Sequence, residues 1–199
     1  MDYLEKVLKL SLIFLFVGCG ILDRSTSNEI TIPIKTSVAR ENPQTTLNNS
    51  CKWQVRFSPN GGAEKQVVDT ILSATQSIYV LSYSFTSDNI AKSLVHMNNS
   101  NLDVQVILDP SNKTGKGSDF SFLLKSGVPT YIDDKHAIAH NKVIIVDLRY
   151  ILTGSFNFTS AAEKRNAENS LLLDCPELAK IYLENWKLHK DHSMRQIYE

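Results

Sequence analysis

Two hydrophobic periods alternate along the chain from Cys51 onward. "WQVRF" reads as a strand closed by the turn "SPNGG". Residues 63–74 place Val67, Val68, Ile71 and Leu72 on one side of a helix. "SIYVLSYSF" is a strand. Asp88 is placed to cap a helix running to about Met97, with Ile90, Leu94 and Val95 facing inward. "DVQVILD" is a strand stopped by Pro110, and "SNKTGKGS" is a polar, mobile loop. A short helix over residues 120–125 ends at Gly127, followed by the brief strand "PTYID". "KVIIVD", "YILTGSF" and "SLLLD" are strands. A last helix runs from Pro176 to about Lys190, with Leu178, Ile181, Tyr182, Trp186 and Leu188 for packing. Strands alternating with helices predict an α/β sandwich, a mixed β-sheet covered by helices on both faces. The near-continuous apolar strands predict a sheet buried on both sides.

The first 50 residues break this pattern. Lys6 and Lys9 precede "LSLIFLFVGCGIL", an apolar run of about 13 residues. That is short of the roughly 20 needed to span a bilayer and fits the core of an export signal. "FVGC" resembles a bacterial lipobox, with Cys19 as the lipidated residue; an uncleaved anchor and a plain cleaved signal stay open beside it. Residues 1–22 are therefore read as the export signal, 23–50 as a Ser/Thr/Asn/Pro-rich linker and 51–199 as the α/β domain. The expected location is exported, periplasmic or secreted, with membrane attachment through the N-terminus. An oxidising compartment would let Cys51 and Cys175 pair, the alternative being two separate buried thiols. Lys+Arg and Asp+Glu both total 21, so the net charge is zero and any anion binding has to be local.

One segment carries more chemistry than a core hairpin needs: "HNKVIIVDLRYILTGSFN", residues 140–157. Strand alternation puts His140, Lys142, Ile144 and Val146 on one face and Asn141, Val143, Ile145 and Asp147 on the other. His140 and Lys142 are then about 6.6 Å apart along the strand. Ser155 and Asn157 share a face at the end of the next strand, so pairing of the two strands brings four polar groups together. Gly154 lets the backbone approach whatever binds there. A cation with neutral donors and no clustered carboxylates suits a phosphate oxyanion, with His140 as nucleophile or general acid/base. The competing reading is a histidine satisfied by the backbone beside a snorkelling lysine.

The spacing H-x-K-x4-D-x6-G-S-x-N resembles the signature of the phospholipase D superfamily. "SYSFTSDNIAKSL", "VQVILD" and "GSFNFTSAAEKRNAENSLLL" extend the resemblance to small single-motif members: exported bacterial endonucleases, secreted bacterial phospholipase D and mitochondrial cardiolipin hydrolase. It covers about residues 53–190. The resemblance implies that His140 attacks phosphorus to give a phosphohistidine, that Lys142 and Asn157 bind the phosphate, and that Ser155 lies near it. Glu168 would orient the imidazole. Asp147, facing away, would form a structural ion pair. It implies hydrolysis of a nucleic acid or phospholipid diester without cofactor or metal. It also implies a homodimer, because one motif per chain supplies one histidine where the reaction needs two. A membrane-attached, non-catalytic phosphate- or nucleic-acid-binding protein is the alternative.

Four basic residues flank the motif as substrate contacts: Lys113 and Lys116 in the polar loop, and Lys164 and Arg165 after the hairpin. His136 and His140, four apart beside Asp133 and Asp134, lack the helix that would make them a metal pair, so no metal site is assigned. His96, His189 and His192 are expected at the surface. Trp53 and Trp186 are expected in the core.

Overall fold

The computed structural model describes residues 51–198. The export signal, the linker and Cys19 lie outside the described residues. Within them are ten strands: β1 Lys52–Ser58, β2 Ser77–Ser82, β3 Phe85–Thr86, β4 Asp103–Leu108, β5 Thr130–Ile132, β6 Lys142–Val146, β7 Tyr150–Gly154, β8 Phe158–Thr159, β9 Glu168–Asp174 and β10 Met194–Arg195. The α-helices are α1 Ala63–Leu72, α2 Asp88–Asn99, α3 Phe120–Lys125, α4 Ser160–Lys164 and α5 Pro176–His192.

Eight strands form one mixed sheet in the order β1-β9-β7-β6-β2-β4-β5-β10. β2, β4 and β5 run parallel, and β6 turns the sheet antiparallel by pairing with β2. β3 and β8 form a separate two-stranded ribbon. The expected alternation along β6 holds. Ile144 and Val146 enter one core with α1, α2 and α3 residues, including Val67, Ile90 and Leu123. Val143 and Ile145 enter a second core with Ala179 and Trp186 of α5. Helices thus cover both faces, and the apolar strands between them are buried on both sides.

Local differences from expectation have physical reasons. "SIYVLSYSF" breaks after Ser82, and its end joins the ribbon. Helix α2 is capped by Ser87, whose Oγ accepts from Ile90 N; Asp88 is the first helical residue. Helix α4 and strand β10 carry too short a periodic signal to read. The Glu163 carboxylate of α4 accepts from Gly62 N and Glu64 N, satisfying donors at the start of α1. "SNKTGKGS" opens with a 3₁₀ turn over Pro110–Lys113, and its Asn112 is buried. Trp186 is in the core, donating Nε1–H to Val80 O at 2.9 Å, but Trp53 is 67% exposed. It lies on the edge strand β1, away from the central strands β2, β6 and β7 that α5 packs against. Leu188 is likewise exposed. Cys51 and Cys175 are joined in a disulfide that fastens the start of β1 to the start of α5.

Candidate active site

His140 and Lys142 sit where the chain enters β6, at the edge of the core built on α1 and α2. β6 and β7 pair as Ile144↔Leu152 and Ile145↔Ile151, so Lys142 comes in at the level of Gly154. Gly154 in turn pairs with Ser170 of β9. The strands that carry the histidine, the serine and the glutamate are therefore neighbours, and their polar ends open on one edge of the sheet.

His140 is exposed, whereas Lys142 is only 7% exposed. Lys142 Nζ donates to the His140 carbonyl at 2.7 Å and approaches His140 Nδ1 at 3.2 Å. Burial lowers the Lys142 pKa from the ordinary lysine value, and the charge of Glu168 works against that fall. Ser155 Oγ accepts from Asn169 N at 3.1 Å and from Asn169 Nδ2 at 3.3 Å. Its own O–H stays free to donate outward. Asn157 Oδ1 is buried without a hydrogen-bond partner among the described residues, so this end of the amide is not committed to holding the fold.

The assignments of Gly154 and Asp147 need correction, and Glu168 is turned to partners other than His140. Glu168 receives a hydrogen bond from Asn166 Nδ2 at 3.0 Å, and no hydrogen bond joins it to His140 among the described residues. Its charge acts on Lys142 instead. Gly154 is required by a neighbouring strand, not by a ligand: at φ 142° a Cβ there would lie 2.3 Å from Asn169 O. Asp147 is in the left-handed region at φ 52°, past the end of β6, and forms no ion pair among the described residues. Its carboxylate accepts four hydrogen bonds, from Thr75 N, Thr75 Oγ1, Gln76 N and Ser77 N, all at 2.8–2.9 Å. Burial pushes its pKa up, but these bonds prevail and hold it below the usual carboxylate value.

The flanking cations divide. Lys113, Lys116, Lys164 and Arg165 are all exposed, and none bonds to His140 or Lys142. Lys164 shares a groove with Glu64 and Asp88. His96 is at the surface as expected. His189 and His192 are not free surface residues: with His136 they close around Asp133. His140 is not part of that group.

Three residues important to the site carry no motif signal. Tyr83 packs its ring against His140 with centroids 4.6 Å apart, and lies under the Lys142 ammonium at 5.2 Å. Asp109, at the end of β4, accepts from Ala139 N at 2.8 Å and so grips the backbone immediately before His140. Asn112 bonds Tyr83 O, Asp109 O and Phe85 N, which ties the Tyr83 segment to the same corner. The signal for the last two was "LDPSN", an Asx-type turn directly after a buried parallel strand.

Comparison with known proteins places this geometry in context. Residues 67–188 match the family described as cardiolipin synthase, PLD-like domain. A phospholipase D of Rickettsia felis is 34% identical over 188 residues, covering 92% of this chain and 94% of the relative. The human mitochondrial cardiolipin hydrolase is 28% identical over 65% of this chain and 52% of its own length. Among solved structures, Nuc from Salmonella typhimurium, a phospholipase D family member, superposes with a TM-score of 0.72 at 38% identity. That match covers 74% of this chain and 99% of Nuc.

Proposed function

The chain belongs to the phospholipase D superfamily and is a phosphodiesterase of that family; from this premise we propose that it hydrolyses phosphodiesters through a phosphohistidine on His140, without a metal ion. The observation that carries the reading is the exposed imidazole held 3.2 Å from a buried ammonium. Lys142, with the free hydroxyl of Ser155 and the amide of Asn157, binds the non-bridging oxygens and stabilises charge developing on them. His140 forms the N–P bond as the P–O bond to the leaving group breaks. A second imidazole gives its proton to that oxygen, then takes one from the water that cleaves the N–P bond. A divalent ion among these oxygens would face the Lys142 ammonium, which argues against metal assistance.

The second imidazole is His140 of another copy, so the working unit is a homodimer with the two sites facing each other. The acid is an imidazolium, with a proton on both ring nitrogens; once it has given its Nε2 proton to the leaving oxygen it is the neutral base that takes a proton from water. The attacking ring needs Nδ1–H against an acceptor. Glu168, the carboxylate that acts on Lys142, is the group suited to that place. Two copies can hold the two forms at once.

Phospholipid is the substrate class favoured by the phospholipase D of Rickettsia felis, which aligns along nearly its whole length. Exposed Ile138, two residues before His140, suits an acyl-bearing substrate. Nucleic acid is the second reading, favoured by the likeness to Nuc and by exposed Lys164 and Arg165. Export to an oxidising compartment is supported by the apolar N-terminal run and by the Cys51–Cys175 disulfide; membrane attachment through that run, with Cys19 as its lipidated residue, is part of the same reading. The deciding experiment assays EDTA-treated protein in parallel on phosphatidylcholine, cardiolipin, plasmid DNA and RNA. Turnover of lipid over nucleic acid is expected. Turnover of DNA alone replaces the lipid reading, and turnover of none overturns the enzyme.

A further inference from the structure

The sheet edge at β5 and β10 carries a second cluster of chemistry. Asp133 follows β5, and its side chain is 0% exposed. Three imidazoles meet its carboxylate: His189 Nδ1 at 2.7 Å from Oδ2, His136 Nδ1 at 3.0 Å from Oδ2, and His192 Nε2 at 3.1 Å from Oδ1. The four donor atoms lie within 4.8 Å of one another. We infer that Asp133, His136, His189 and His192 form a binding site for one divalent transition-metal ion of the zinc class, built to hold the C-terminal helix to the loop that leads into His140.

The donor set suits that ion. Imidazole nitrogen and carboxylate oxygen are zinc ligands at about 2.0–2.1 Å, which gives a tetrahedron with edges near 3.3 Å. The donor separations, all within 4.8 Å, have to contract by at most about 1.5 Å to reach such a figure. Four protein ligands close the coordination sphere, the mark of a structural rather than a catalytic zinc. Charge points the same way. Among the described residues Asp133 has no Lys or Arg side-chain partner, and a fully buried carboxylate held by three imidazoles and the Lys135 backbone N–H, at 3.1 Å from Oδ1, lacks a permanent counter-charge. A cation supplies one.

The scaffold is set by backbone, independently of any ion. His189 and His192 lie three apart on the last turn of α5 and so share a face. The chain then turns back along β5, with Met194 opposite Ile132 and Arg195 opposite Tyr131. Gln196 N donates to Thr130 O at 2.9 Å, and Asp133 N to Leu108 O at 3.0 Å. An entry path exists, because the His136 side chain is 46% exposed. His136 stands four residues before His140, yet no catalytic group is a donor. The proposal therefore does not depend on the substrate or mechanism proposed above.

The test strips the full chain with EDTA, removes the chelator and titrates with Zn²⁺. One zinc per chain is expected, with a rise in melting temperature of about 5–10 °C at free zinc a hundredfold above Kd. Co²⁺ in its place should give the visible absorption of a four-coordinate site. His136→Gln and His192→Gln should each weaken zinc binding by about a hundredfold or more. If His192→Gln fails to fold, His136→Gln, on the exposed loop, carries the comparison. His140→Asn should bind zinc as wild type does. A chain whose melting temperature ignores zinc overturns the proposal and leaves Asp133 as an acceptor of imidazole N–H groups. Undiminished binding by the His136→Gln/His192→Gln double variant, or loss of binding by His140→Asn, also overturns it.

Discussion

The two ends of β6 belong to one motif and are built on opposite principles. At the entry, His140 is exposed, and among the described residues Asn157 Oδ1 has no partner and the Ser155 hydroxyl donates to none. At the exit, every contact of Asp147 is internal: four donors converge on one carboxylate and tie the β6–β7 turn to the start of β2. Buried polar groups are ordinarily satisfied, so an unsatisfied end and a saturated end on one strand mark a site and its support. Of the motif's histidine, lysine and aspartate, His140 and Lys142 therefore stand at the open end and Asp147 fixes the strand that carries them.

Breaking the open end should give the largest effect. His140→Asn should lower turnover by about 10⁴-fold or more, because both halves of the reaction lose their imidazole. Its melting temperature should stay within about 2 °C of wild type, as for an exposed substitution. Stopped-assay kinetics and calorimetry on one preparation check both, and wild-type turnover in this variant removes His140 from the chemistry.

Breaking the closed end should do the reverse. Asp147→Asn replaces an all-acceptor group by one that turns an amide N–H₂ toward backbone donors. The loss of charge-assisted bonds, about 2–3 kcal/mol, lowers the melting temperature by about 4–10 °C. Turnover per folded molecule should stay within about threefold of wild type. A melting curve unchanged with turnover abolished would reverse the assignment of the two ends.

Glu168→Gln sharpens the open end. It should lower turnover by about 10- to 100-fold with an unchanged melting temperature, and shift the pH–rate profile, since both Lys142 and the attacking imidazole lose a carboxylate. A variant with the wild-type profile would confine Glu168 to its bond with Asn166.

Acid separates the ends more gently. The folded pKa of Asp147 is depressed, so its contribution is present above the unfolded carboxylate value and is lost as pH falls through the folded one. The stability gap between wild type and Asp147→Asn should accordingly shrink as pH falls below about 4. Asp119 provides the opposite sign. Burial, and then the charge of Asp88, push its pKa up to about 6, while Lys92 opposes them. What it contributes is present below the unfolded value and lost as pH rises through about 6. Asp119→Asn should therefore melt a few degrees higher than wild type at pH 8 and show little difference at pH 4. Equal shifts at both pH values would mean that Asp119 does not titrate in this range.

How much of this was legible depends on distance along the chain. Periodicity reports which face of an element is buried, so the α/β layers, the double-sided sheet and the alternation of His140 and Lys142 with Asn141 were readable directly. The motif spacing placed Lys142 on one strand and His140, Ser155 and Asn157 beside the ends of that strand and its neighbour. Periodicity does not report what lies opposite an element. Gly154 looked like room for a ligand until β9 put Asn169 O against it. Asp147 looked like half of an ion pair until the start of β2 arrived with its N–H groups. Cys51 and Cys175 could be paired or apart until β1 and α5 met.

The group at Asp133 is the clearest division between the two sources. The sequence by itself determined that Asp133 and His136 lie on one short segment and that His189 and His192 share a helix face. It held nothing to join the two pairs, which stand 56 residues apart at Asp133 and His189. Only the sheet order, with β10 laid along β5, closed that distance. Local pattern is set by the period of each element. Which elements meet is decided by how the whole chain buries its apolar faces and pairs its strand edges, and that is a property of the tertiary structure alone.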